Sequence, residues 1–413
     1  MLFFEAKMYH PRLKKITEAV QRLSRISEHT PLQLNADLSQ RHGCSVYLKR
    51  EDMGLVRSYK WRGAYNAMAS ANYESIVTCS AGNHAQGVAF SCSKLGITGD
   101  IFMPAQTTNQ KINKVKQFGG SFVNIFLEGA NFDESFALAA AHATTKGAGF
   151  IHPFDNKRVI EGQATVAVEI IKQMRGVGID YLFLPIGGGG LAAGVSAFIK
   201  EVSPETKIIG VEPVGAASMT EALRVGHVVK LSKLSTFVDG AAVGQVGALT
   251  FPICHKNLDD VILIDEGHVC TKIIQMYNES GFIIEPAGVL SLCALDVYRV
   301  PAGSKAVCVI SGGNSDVFRM PEILERSLVH KGLKHYFKVQ FAQKAGSLKA
   351  FILSVLGPGD DIIYFNYERA INREMAPVII GLQVQRPEDI DRIVANMVDA
   401  GLQFERLDGF SKV

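Results

Sequence analysis

From residue 45 to residue 315, short β-branched runs alternate with longer stretches whose apolar residues recur at helical spacing. VYLKRE (46–51), SIVTCS (75–80), DIFMP (100–104), SFVNIF (121–126), YLFLPI (181–186), KIIGVE (207–212), VILI (261–264) and AVCVIS (306–311) are the apolar runs. Turn residues and then an amphipathic segment follow them. This rhythm predicts βαβ units and parallel sheet in an α/β fold. In such sheets ligands bind beyond the carboxyl ends of the strands, which is where the Gly-rich turns of this chain fall.

Beyond about residue 325 the pattern changes. YFKVQF (336–341), GSLKAFILSVL (346–356), DIIYFNYE (361–368), PVIIGLQV (377–384), EDIDRIVANMVDAG (388–401) and LQFERL (402–407) read strand, helix, strand, strand, helix, strand. That is a ferredoxin-like βαββαβ module, long enough to fold as its own domain. PEILERSLVHKGLKH (321–335) reads as a helical linker. Two domains are expected, residues 1–325 with two α/β subdomains and residues 326–413.

Composition narrows the classes. A 413-residue chain that is 47% hydrophobic and 20% charged can bury large cores. Its net charge is +3 and its Lys and Arg are dispersed, so neither a nucleic acid nor an anionic membrane is an expected partner. MLFFEAKMYH carries charges inside its apolar cluster and reads as neither signal peptide nor anchor, so the expected location is the cytoplasm. The seven cysteines include no C-x-x-C pair, which argues against a disulfide framework and a zinc site.

Four stretches could carry chemistry. In LPIGGGGLAAG (184–194) a strand runs into four glycines and a helix beginning near Leu191, so converging backbone amides and the positive helix end form an anion cup. Gly188, Gly190 and Ala193 also fit the G-x-G-x-x-A dinucleotide fingerprint, with Glu212 near the distance of a ribose-binding acid, so a dehydrogenase is an alternative. Against it, the fingerprint lies mid-chain and no general base accompanies it. TCSAGNHAQGVA (78–89) ends a strand in Ser80, Ala81, Gly82, Asn83 and His84, offering backbone amides to a carboxylate and a neutral side-chain amide. VISGGNSD (309–316) places the Ser311 hydroxyl at another strand end. Taken singly, the glycines make a tight turn, His84 is a cap or packing residue and SGG is an ordinary loop. In VRSYKWRGAYNAM (56–68), finally, Lys60 starts a helical run, where a cation opposes the macrodipole, so helix electrostatics do not explain it.

A phosphate cup, an amine in need of a reason and neutral donors for ring substituents are the parts of a pyridoxal-phosphate enzyme. At these residues the chain resembles the fold-type II (tryptophan synthase β-like) pyridoxal-phosphate family, and within it the biosynthetic, regulated threonine dehydratases. KREDMGLVRSYKWRGAYNAM (49–68), CSAGNHAQGVA (79–89), PIGGGGLAAG (185–194), FVDGAAV (237–243), EPAGV (285–289) and SGGN (311–314) look like that family's blocks in its order. The module after residue 332 looks like its ACT-like regulatory domain.

The resemblance implies pyridoxal 5'-phosphate as cofactor, with Lys60 as both its attachment point and the catalytic base. It further implies Asn83 against the phenolic oxygen, Gly187, Gly188, Gly189, Gly190 and Leu191 around the phosphate, and Ser311 at the pyridine nitrogen. Ser80, Ala81, Gly82, Asn83 and His84 would hold the substrate carboxylate. The implied reaction is β-elimination of L-threonine, and also of L-serine, to a keto acid and ammonia at the first step of isoleucine biosynthesis. Isoleucine would be the effector and the assembly a homotetramer or homodimer. A basic role requires a lowered amine pKa, and the helix start pushes that way. Related racemases carry a serine where Ala81 stands and an acid where Ser218 stands, which disfavours racemisation and implies no metal. Trp61 and Gly54 depart from the family's pattern without removing a chemical group. A serine dehydratase or serine racemase, and a non-catalytic amino-acid-binding regulator, stay open beside the dehydrogenase.

Overall fold

The computed structural model describes residues 9–367 and 374–407. The apolar cluster before Tyr9 and Glu368, the last residue of one predicted strand, lie outside them. The chain divides into two compact units, Met1–Asp316 and Val317–Val413.

The first unit holds two sheets. The larger runs in the order Leu32–Leu34, Ser45–Arg50, Lys305–Ile310, Tyr181–Pro185, Lys207–Pro213, Asp260–Ile264 and is parallel apart from its first edge strand. The smaller runs Val123–Leu127, Thr98–Met103, Ser75–Cys79, Gly149–Phe150, all parallel. All eight strands expected from the apolar runs are present. Helices cover both faces, so strands such as Lys305–Ile310 are buried along nearly their whole length and read as unbroken apolar runs. Leu32–Leu34 and Gly149–Phe150 escape a pattern-based reading because three and two residues are too few to show a period.

The second unit is a four-stranded antiparallel sheet in the order Asp361–Tyr367, Met375–Gln383, Lys334–Ala342, Phe404–Leu407. With helices Ser347–Val355 and Asp389–Asp399 this gives the expected βαββαβ order. Phe337, Val339, Val378, Ile380 and Leu382 meet Phe351, Ile390, Ile393 and Met397 in one core. Helix Met320–His330 occupies most of the segment read as a helical linker, with Pro321 in its first turn.

Candidate active site

Strands Lys305–Ile310 and Tyr181–Pro185 are direct neighbours, so Ser311 and the glycine run emerge side by side. The Lys60 turn is tied to the same edge. The Tyr59 amide donates to the Ser311 carbonyl at 3.1 Å, and the Gly313 amide donates to the Arg57 carbonyl at 2.9 Å. Helix Asn83–Leu95 packs on helix Lys60–Ala69 at Gly87, where a Cβ would stand 2.9 Å from the Trp61 backbone. FVDGAAV fits between two others: a Cβ on Gly187 would meet Ala241 at 3.1 Å, and one on Gly240 would meet the Ala287 Cβ at 2.7 Å. Six stretches far apart in sequence therefore converge at one place.

The glycine run has the form of a cup. Gly189 sits at φ 88°, a conformation that side chains rarely adopt. Thr250 Oγ1 donates to the Gly188 carbonyl at 2.7 Å, which fixes the orientation of that peptide. Among the described residues the amides of Gly187, Gly188 and Gly189 find no acceptor, and helix Gly190–Val202, starting one residue earlier than expected, has no side-chain cap. Free amides at a helix start suit a phosphate. The Phe154 ring closes over the run, in the space a Cβ on Gly188 would fill.

Lys60 is the first residue of its helix, and its Nζ donates to the Pro153 carbonyl at 3.1 Å. Burial lowers the amine from 10.5 to about 8, with the Glu285 carboxylate opposing. Its imidazole neighbours are neutral. Burial, then the Lys60 charge, takes His84 down to about 3, and burial takes His152 to about 4. A neutral His84 donates from Nε2 to the Ile151 carbonyl at 3.0 Å, leaving Nδ1 buried and without a partner. The imidazole is thus anchored to a backbone carbonyl. The segment Ser80 to Asn83 is half-buried, the Gly82 amide donates to Ser80 Oγ at 3.2 Å, and helix Asn83–Leu95 has no side-chain cap. Ser311 is buried, with its hydroxyl 3.4 Å from the Ala287 carbonyl. Asn83 Nδ2 donates to Glu285 Oε1 at 2.6 Å, and Asn314 Nδ2 donates to Asn83 Oδ1 at 2.8 Å. Burial raises Glu285 to about 7.

Two residues beyond Lys60, Arg62 holds the helix down. Its guanidinium donates to Glu51 Oε2 at 2.8 Å and to Glu169 Oε1 at 2.5 Å, and Lys49 reaches Glu169 at 2.6 Å. Burial opposes ionisation of Glu169, but Arg62 and Lys49 overcome it and hold the carboxyl low. Every charge in this cluster has a partner.

Pro153, Phe154, Glu285 and Asn314 were not among the expected site residues. The first two follow the two-residue strand Gly149–Phe150, whose brevity hid that a further strand end feeds the site. Glu285 and Asn314 lie inside quoted blocks, EPAGV and SGGN, but their partners are separated from them in sequence by more than 200 residues. Glu212 is committed elsewhere. It accepts the Met219 amide at 2.7 Å and the Thr220 amide at 2.8 Å at the start of helix Ser218–Val225, which removes the ribose-binding acid the dehydrogenase reading needs.

Residues 23–312 match the pyridoxal-phosphate dependent enzyme family, and residues 325–411 match the C-terminal regulatory domain of threonine dehydratase. The chain is 47% identical over 402 residues to the biosynthetic L-threonine dehydratase IlvA of Halalkalibacterium halodurans, covering 96% of this chain and 97% of the relative. The Bacillus subtilis protein of the same name is 47% identical over 391 residues, 94% of this chain and 92% of its own length. Among solved structures, the processed form of threonine deaminase isoform 2 from Solanum lycopersicum superposes with a TM-score of 0.70 at 36% identity, over 78% of this chain and 97% of that one. Maize serine racemase superposes at 0.71 with 29% identity, over 78% and 99%.

Proposed function

The chain belongs to the biosynthetic threonine dehydratases of the pyridoxal-phosphate dependent enzyme family, and from that premise we propose how its residues divide the work. The enzyme converts L-threonine to 2-oxobutanoate and ammonia. When bound, pyridoxal phosphate supplies an electron sink conjugated to the substrate α-carbon. Lys60 would hold the cofactor and would take the substrate's α-proton; an amine at about 8 is matched to that task near neutral pH. The amides of Gly187 to Leu191 hold the phosphate, Asn83 faces the phenolic oxygen and Ser311 the pyridine nitrogen. The uncapped turn from Ser80 to His84 orients the substrate carboxylate, with the His84 ring as its anchor. Ala81 has no proton to give to the opposite face, which directs the chemistry to elimination rather than racemisation.

One observation supports this reading above the others: a half-buried, weakly basic amine stands where six separated motifs meet. The test is keto-acid release from L-threonine and L-serine by the wild type and Lys60→Ala. Wild-type turnover with undiminished yellow colour in that variant would remove the lysine from its role.

For residues 326–413 the reading is an amino-acid sensor for L-isoleucine, which lowers apparent threonine affinity. Gly346, at φ 90°, and Ser347 open an uncapped helix whose amides can take a carboxylate, and Pro377 to Val384 supplies apolar neighbours. By linkage, threonine weakens isoleucine binding by the same factor. Removing the chain after about residue 325 abolishes the inhibition while catalysis persists; calorimetry detecting no isoleucine binding to the full chain would reduce the module to a structural role. A homotetramer or homodimer in the cytoplasm completes the proposal, the assembly being checked by sedimentation. Among the described residues no helix is long and apolar enough to cross a membrane.

A further inference from the structure

We propose that Glu285 and Asn314 are positioning residues for the cofactor: together they clamp the Asn83 side-chain amide so that one N–H is committed and the other is left for the cofactor's ring oxygen. This rests on the role proposed above for Asn83. An amide carries two donors on one end and an acceptor on the other, and nothing in its own shape selects which end points where. Here the surroundings select. Asn83 Nδ2 donates to Glu285 Oε1 at 2.6 Å, while Asn83 Oδ1 accepts from Asn314 Nδ2 at 2.8 Å. Turning the amide over would set its N–H groups against the Asn314 donor and its oxygen against the Glu285 carboxyl, two mismatches at once.

The clamp is itself fixed. Asn314 uses its remaining side-chain donor on the Val56 carbonyl at 2.8 Å, its oxygen accepts Lys114 Nζ at 2.9 Å, and its backbone amide donates to Glu285 Oε2 at 3.2 Å. The Glu285 amide donates to the Gly312 carbonyl at 3.3 Å. Gly312 leaves room for the carboxyl, because a Cβ there would overlap Glu285 Oε1 and stand 3.2 Å from Asn83 Nδ2. Three of the separated motifs thus meet in one hydrogen-bonded unit, and Glu285 otherwise bears on the chemistry proposed above only as a charge that opposes the fall of the Lys60 pKa.

Glu285→Gln keeps the shape but turns one of the two acceptor ends into a donor, facing either Asn83 Nδ2 or the Asn314 amide. The measurements are the position of the visible absorption band of the full-length holoenzyme and the dissociation constant of pyridoxal 5'-phosphate at equilibrium. We expect Glu285→Gln and Asn83→Ala each to shift the band and to weaken cofactor binding by roughly tenfold, about the worth of one hydrogen bond. The double variant should be no worse than Asn83→Ala alone, since a clamp with nothing to hold has no effect. Effects in Asn83→Ala with none in Glu285→Gln would overturn the clamp and leave the role of Asn83 standing. No effect in Asn83→Ala would overturn that role and the clamp with it. Additive losses in the double variant would mean that Glu285 acts on the cofactor directly, against a positioning role. Should Glu285→Gln not fold, Asn314→Ser removes the donor to Asn83 Oδ1 and carries the same expectations and the same contrary results.

Discussion

Lys60 and Arg62 are two residues apart on one helix, Arg62 buried and Lys60 half-buried, yet their surroundings treat them oppositely. Arg62 faces Glu51 and Glu169; burial works against its charge, but the two carboxylates outweigh it and push the guanidinium further up. Lys60 has a carbonyl at 3.1 Å and a Glu285 that burial itself raises to about 7, so the desolvation of the amine is only partly offset and its pKa falls to about 8. A buried cation with close anions is a fastening; one without them is a base in waiting. The helix start pushes in the same direction as burial, but burial is the larger cause.

The largest effect that would break this contrast is on turnover. Lys60→Ala should lower kcat by at least about a thousandfold, since anchor and base are lost together, while circular dichroism stays that of the wild type. Retained activity would merge the two cations into one structural class.

Arg62→Met should act on stability instead. It leaves Glu51 and Glu169 buried without their main counter-charge, which should cost roughly 3 to 5 kcal/mol in denaturant unfolding. Losses under about 1 kcal/mol would show that the cluster is not the fastening its geometry describes.

A smaller effect of opposite sign is expected from Lys60→Met in the cofactor-free chain. With a folded pKa near 8 against an ordinary 10.5, the folded state binds fewer protons than the unfolded one between those values, so the lysine penalises folding below about pH 8 and the penalty fades as pH rises to 10.5. Replacing it should stabilise the chain at pH 7 by at most roughly 3 kcal/mol, a gain that shrinks between pH 8 and 10.5. A gain that did not change with pH would assign the effect to packing.

The smallest effects sharpen the roles around the amine. Ser311→Asp should favour a protonated pyridine nitrogen and shift the products from L-serine away from elimination. Ala81→Ser should yield D-serine above the wild-type level, read by chiral chromatography; unchanged partitioning in both variants would detach these residues from the cofactor's faces.

All but two short strands of the first unit and the βαββαβ order of the second were legible in the sequence because they rest on runs and periods of apolar residues, which survive without tertiary knowledge. Lys60 was legible as an anomaly, a cation where the helix dipole repels it, and the glycine run as a turn into a helix suited to an anion. What escaped was whatever depends on contacts across the fold. Pro153 and Phe154 follow a strand of two residues, and the significance of Glu285 appears only when Asn83, 202 positions away, is beside it. Nothing in the sequence singles out Arg62, whose partner Glu169 lies 107 residues on.

The most direct test of the Lys60 assignment is borohydride reduction of the yellow holoenzyme, followed by proteolysis and mass spectrometry of the labelled peptide. The pyridoxyl group is expected on the peptide containing Lys60, with the visible band lost on reduction. A pyridoxyl group on any other lysine, or a band that borohydride leaves intact, would contradict it.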